Sequence, residues 1–152
     1  EGEGFRIVGV ADTAPQLLAD IGQISSRKPN EQEYLDIKLA VRAARDLGAK
    51  DIGQAAIVRN QEIIGLEDTS GTDALLKRIK IPSGSFEGVL AKVVKPQQDM
   101  RKDLPTIGVN TLANVARAGL AGGAVEAGKT IILDRKDVIS IANELNLFLV
   151  GI

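Results

Sequence analysis

The chain has 152 residues, 44% of them hydrophobic and 26% charged, with a formal net charge of −1, which is enough apolar mass for one core and a single domain. Cys and His are both absent, which excludes disulfides, thiolate nucleophiles, Cys/His zinc sites and any imidazole base within the chain. The near-neutral charge creates no field for nucleic acid, and aromatics at 3% leave no stacking platform for single strands.

The chain opens on Glu1-Gly2-Glu3-Gly4 with no Met, which reads as a linker remnant and raises the expectation of a piece of a longer protein. No leader pattern and no apolar run near the roughly 18 residues of a membrane span is visible, so a soluble chain is expected. Phe5 to Val10 alternates and predicts a first strand. Ala14 to Ile21 predicts a short helix. Asn30 followed by Glu33 has the form of a capping box, and Ile37, Ala40, Val41, Ala44 and Leu47 then recur at helical spacing until Gly48, the expected stop. That helix reads more simply as core packing than as a partner or membrane surface. Gln54 to Arg59 and Glu62 to Glu67 flank Asn60-Gln61 as a hairpin.

Thr69-Ser70-Gly71-Thr72 predicts a capped helix start, with the helix running to about Lys80, and Val89 to Val94 predicts a strand. Asn110 to Ala118 reads as helix, Gly122 to Glu126 and Thr130 to Leu133 as short strands. Asp134 is expected to cap a helix to about Asn146, with Leu147 to Val150 as a final strand. Helices and strands interleave, so the expected class is α/β, a mixed sheet with flanking helices in a single domain. The glycines from Gly119 to Gly128 carry no GxGxxG or Walker pattern and read as turns and close strand packing.

The segment Lys92 to Gly108 is the most informative. It gathers Lys92, Lys95, Arg101 and Lys102 with Asp99, Asp103, Gln97 and Gln98, in a stretch that Pro96, Pro105 and Gly108 keep from being regular structure. Cations hold phosphate oxygens, and carboxylates hold a hard metal or a water. Asp99 and Asp103 could share a metal, or they could pair with Arg101 and Lys102 as surface ion pairs of little worth. The alternative for the whole segment is a solvated charged face. Ser70-Gly71-Thr72-Asp73 admits two readings as well, an anion site at a helix start or ordinary capping. Glu67 and Asp68, just before it, are either ligands facing a site or a charged strand end facing water.

Together these motifs resemble the C-terminal domain of the bacterial UDP-2,3-diacylglucosamine pyrophosphatase family of lipid A biosynthesis. The resemblance rests on Asp51-Ile52-Gly53-Gln54, Gly71-Thr72-Asp73-Ala74 with Arg78, Lys92 through Lys95-Pro96, Gln98, Arg101 and Asp103-Leu104-Pro105-Thr106-Ile107-Gly108. It continues through Ala118 to Gly122, Asp134-Arg135 and Leu147 to Gly151. It implies hydrolysis of the diphosphate of UDP-2,3-diacylglucosamine to 2,3-diacylglucosamine 1-phosphate (lipid X) and UMP, with water attacking the phosphorus nearer the sugar and Mg²⁺ (or Mn²⁺) assisting. The aspartate of the family's Asp-Leu-Pro motif, needed for activity, falls on Asp103.

The resulting expectations are Asp103 and Arg101 as catalytic residues and Asp103 and Asp99 as metal ligands. Lys92, Lys95, Gln98, Gly71, Thr72, Asp73, Arg78 and Thr106 are expected to bind substrate. The resemblance also implies that residues 1–152 form the second domain of a two-domain protein preceded by a Rossmann-like domain, with the substrate between the two. A cytoplasmic location, transient contact with the inner-membrane surface and a homodimer are further expectations. One departure stands out. Family members commonly have Glu before Gly-Thr-Asp, and this chain has Ser70. Two other readings compete with the hydrolase: a module that binds a nucleotide-linked lipid without cleaving it, and a structural or dimerising domain.

Overall fold

A computed structural model describes residues 15–82, 85–96 and 104–152. After a 3₁₀ turn at Pro15–Leu17, the elements in chain order are β1 (Gly22–Gln23), α1 (Glu31–Ala49), β2 (Ala55–Arg59), β3 (Glu62–Leu66), α2 (Thr72–Arg78) and β4 (Val89–Lys92). They continue with β5 (Thr106–Ile107), α3 (Val109–Arg117), β6 (Gly122–Val125), β7 (Ile131–Ile132), α4 (Arg135–Glu144) and β8 (Phe148–Gly151). The expected strand at Phe5 to Val10 lies outside the described residues.

Local capping chemistry sets the start of α1 and departs from expectation at several other boundaries. The Asn30 side chain accepts from Glu33 N at 2.8 Å while the Glu33 carboxylate accepts from Asn30 N at 2.9 Å, the expected capping box. Gly48 does not end α1: the helix runs through Ala49, and Asp51 takes the left-handed conformation at φ 57°. The predicted helix at Ala14 to Ile21 shrinks to the 3₁₀ turn, because Leu18 is buried and bridges to Ile131. Asp134 occupies the N-cap of α4 in a left-handed conformation and makes no side-chain cap, contributing only its carbonyl to Val138 N. The start of α2 likewise has no side-chain cap, and that helix ends at Arg78.

The hairpin stands as expected. Asn60 and Gln61 both have positive φ, 50° and 62°, as a two-residue turn between antiparallel strands requires. Gln rarely adopts this conformation. Asp36 of α1, buried, holds it in place by accepting from Asn60 N, Gln61 N and Gln61 Nε2 at 3.2, 2.8 and 2.7 Å.

Six strands form one mixed sheet in the order β1-β8-β6-β4-β2-β3. β4, β6 and β8 run parallel, and β2, β3 and β1 are antiparallel to their neighbours. β5 and β7 form a separate parallel pair. The expected class, α/β with a mixed sheet and flanking helices, is observed. Alternate residues of the same strands face opposite layers, the period-two consequence of the pleat. Ala56, Val58, Val89, Ala91 and Phe148 meet Ile37, Ala40, Val41 and Ala44 of α1. Ala55, Ile57, Leu90, Val125 and Leu149 meet Leu75 of α2, Leu112 and Val115 of α3 and Val138 of α4. The central strands are therefore covered on both faces, edge strand β3 stays largely exposed, and the ends of the central strands are the open places for chemistry. Among the described residues no helix is long and apolar enough to cross a membrane.

Candidate active site

Strand β4 delivers Lys92 to the C-terminal edge of the parallel strands, where open α/β sheets hold their ligands. Its Nζ donates to Thr106 O at 3.2 Å, tying the end of β4 to β5. Burial lowers the Lys92 pKa from the ordinary lysine value, and the nearby carboxylates of Glu67 and Asp73 offset part of that effect. Lys92 is thus a partly desolvated cation within electrostatic reach of two carboxylates.

Glu67 immediately follows β3 and is only 8% exposed. Its Oε1 accepts from Thr72 Oγ1 at 3.2 Å and from Gln54 N at 3.3 Å. Gly53 permits this close approach, since a Cβ there would lie 2.6 Å from Glu67 O. Of the two readings for the Glu67-Asp68 pair, each residue takes one. Glu67 points inward to the site. Asp68 is exposed, accepts from Ser70 N at 2.8 Å and pairs with Arg78 at 3.7 Å. The Ser70 amide holds the Asp68 carboxyl below its ordinary value.

The first turn of α2 supplies Asp73, whose Oδ1 accepts from Asn114 Nδ2 of α3 at 3.3 Å. Asn114 Oδ1 accepts in turn from Arg117 Nη1, so α3 orients the carboxylate that faces Lys92. Asn114 is not among the expected site residues and falls within the stretch Asn110 to Ala118, read only as a helix. The available signal was a carboxamide between Leu112 and Val115 at a position that turns out buried. Gln54 stands in the sequence only as the end of the Asp51-Ile52-Gly53-Gln54 motif, yet its backbone amide donates to Glu67.

Of the expected substrate-binding residues, the structure thus gathers Lys92, Thr72, Asp73 and Thr106. Others are engaged nearby. Lys95 pairs with Asp51 at 3.4 Å, and Arg78 donates to Leu66 O at 3.2 Å as well as pairing with Asp68. Gly71 has φ 94°, and its amide donates to Asp68 O at 3.1 Å within the turn. Gln98, Asp99, Arg101 and Asp103 lie outside the described residues.

Among the described residues no group of three or more Asp or Glu side chains is placed to hold a metal ion. Mg²⁺ needs fewer, because it keeps water and commonly takes only one or two carboxylates together with substrate phosphate oxygens. The oxygen donors of Glu67 and Asp73, both close enough to act on Lys92, fit that chemistry.

The model of the LpxI C-terminal domain family matches residues 20–150. The chain belongs to this family. UDP-2,3-diacylglucosamine pyrophosphatase LpxI from Caulobacter vibrioides is 42% identical over 159 aligned residues, covering 100% of the chain and 57% of the relative. The chain therefore spans little more than half the length of that curated relative. The family match takes in all the residues of the Lys92 cluster: Gln54, Glu67, Thr72, Asp73, Thr106 and Asn114.

Proposed function

We propose that the chain is the diphosphate-holding domain of a hydrolase that splits UDP-2,3-diacylglucosamine into 2,3-diacylglucosamine 1-phosphate and UMP. The observation that carries this reading is the placement of Lys92 at the strand edge, partly desolvated and opposed by Glu67 and Asp73. An ammonium held at that edge can take a diphosphate oxygen, and it offsets charge that grows in the transition state. The 42% identity with the Caulobacter pyrophosphatase supports the same substrate class.

In the proposed reaction a water oxygen bonds to the phosphorus nearer the sugar, and the bond from that phosphorus to the bridging oxygen breaks. UMP leaves with the bridging oxygen. Asp103 takes the water proton or holds the metal, and Lys92, Lys95 and Arg101 hold the diphosphate oxygens. Gln98, Arg78, Gly71, Thr72 and Thr106 line the substrate. Mg²⁺ or Mn²⁺ when bound supplies further positive charge at the diphosphate, with Glu67 and Asp73 as holders beside Asp99 and Asp103. Thr72 and Gln54 keep the Glu67 carboxylate turned inward, and Asn114 donates to the exposed Asp73 carboxylate.

The reading includes a preceding domain that closes over the substrate, and action in the cytoplasm at the inner-membrane surface, where a diacylated ligand resides. The test is UMP release by the two-domain protein with Mg²⁺, comparing wild type with Asp103→Ala and Lys92→Met. Loss of turnover in both variants, with folding retained, is the expected result. Full turnover by Asp103→Ala would remove that residue from the chemistry, and tight ligand binding without UMP release by wild type would favour a binding module.

A further inference from the structure

Where the backbone leaves β4, one amide, that of Val94, bonds to a side chain instead of main chain. The β4–β6 ladder ends at Lys92 opposite Val125. Val93 N then donates to Gln54 O at 2.8 Å, on the β2 side. Val94 N does not continue the ladder and donates instead to Glu126 Oε1 at 2.7 Å. The second oxygen of that carboxylate, Oε2, pairs with Arg45 of α1 at 3.4 Å. One residue on, Lys95 pairs with Asp51. The end of α1 backs this stretch: a Cβ on Gly48 would lie 3.5 Å from Pro96 Cδ and 3.6 Å from Lys95 Cα.

Glu126 is 9% exposed, and burying a carboxylate is costly unless both oxygens find partners. A main-chain acceptor would have satisfied Val94 without that cost. The carboxylate acts at one place, between the two lysines assigned to the diphosphate, and a charge-assisted bond of this length is stiffer than a neutral one. We propose that Glu126, braced by Arg45, is a positioning residue of the diphosphate site. It fixes the backbone between Lys92 and Lys95, and so their relative placement, without touching substrate. This inference rests on the reading of Lys92 and Lys95 as diphosphate ligands.

The experiment compares wild type, Glu126→Ala, Glu126→Gln and Arg45→Ala in the two-domain protein. The readouts are UMP release, affinity for UDP-N-acetylglucosamine as a stable diphosphate probe, and thermal unfolding. Loss of the bond to Val94 lowers kcat/KM of Glu126→Ala about 10- to 100-fold and weakens probe binding. Glu126→Gln keeps an acceptor for Val94 and restores most of the loss. Arg45→Ala, with its largely exposed side chain, folds normally and loses about 3-fold. A folded Glu126→Ala with wild-type turnover and probe affinity overturns the inference, as does a Glu126→Gln no better than Ala. If Glu126→Ala does not fold, unaltered turnover and probe affinity in both other variants overturns it. Absence of UMP release by wild type refutes the hydrolase reading instead, and probe affinity across the variants then decides the inference alone.

Discussion

Lys92 Nζ and Thr106 O meet at 3.2 Å and close the chain's most charged segment at its two ends, joining β4 to β5. The contact holds the ammonium at the strand edge and consumes one of its three donors.

Replacing Lys92 with Met, which preserves the length and apolar stem, should lower kcat/KM for UMP release about 100- to 1,000-fold. Lys92→Arg should not rescue it, because a planar fork replaces a compact cation whose position Thr106 defines. Wild-type rates in Lys92→Arg would show that any cation suffices.

The lowered pKa of Lys92 has consequences of opposite sign for activity and stability. Between that lowered value and the ordinary lysine value of 10.5, the unfolded chain binds more protons than the folded one. Unfolding free energy therefore gains a contribution that rises with pH across that window, while the cation needed for turnover is lost. Activity should decline at lower pH than an exposed lysine would dictate. Denaturant titrations across pH should show the rise in wild type and its loss in Lys92→Met; parallel curves would contradict the desolvation.

Asp36 accepts three hydrogen bonds from the Asn60-Gln61 turn. Asp36→Ala should destabilise the fold by about 2–3 kcal/mol, because two main-chain donors in a left-handed turn lose their acceptor. Urea unfolding measures it, and a change under about 0.5 kcal/mol, typical of surface positions, would mean that water replaces the carboxylate.

Gly53→Ala should damage both fold and activity, since its Cβ would lie 2.6 Å from Glu67 O, a backbone atom with no rotamer to yield. Gly123→Ala is the control, with the nearest atom at an ordinary 3.5 Å. Melting temperatures and UMP release should separate the two, and equal behaviour would argue against a tight approach at Gly53.

The features readable from sequence are those governed by near neighbours along the chain. The Asn30–Glu33 box, the spacing of Ile37, Ala40, Val41 and Ala44, and the Asn60-Gln61 turn all depend on contacts a few residues apart. The charged segment was also visible, since charge clustering is compositional, and the family motifs pointed to diphosphate chemistry. Local signals misled where a distant partner prevailed: Leu18 bridges to Ile131 and leaves only a 3₁₀ turn of the helix expected there, and Thr72 turns its hydroxyl to Glu67 instead of capping α2. Nothing in the local pattern told Glu67 from Asp68, or marked Asn114 and Glu126 as polar groups serving a strand edge. Those assignments follow from which elements meet across the sheet. That choice is made by burial of two apolar faces at once, an energy summed over the whole domain and not encoded at any one position.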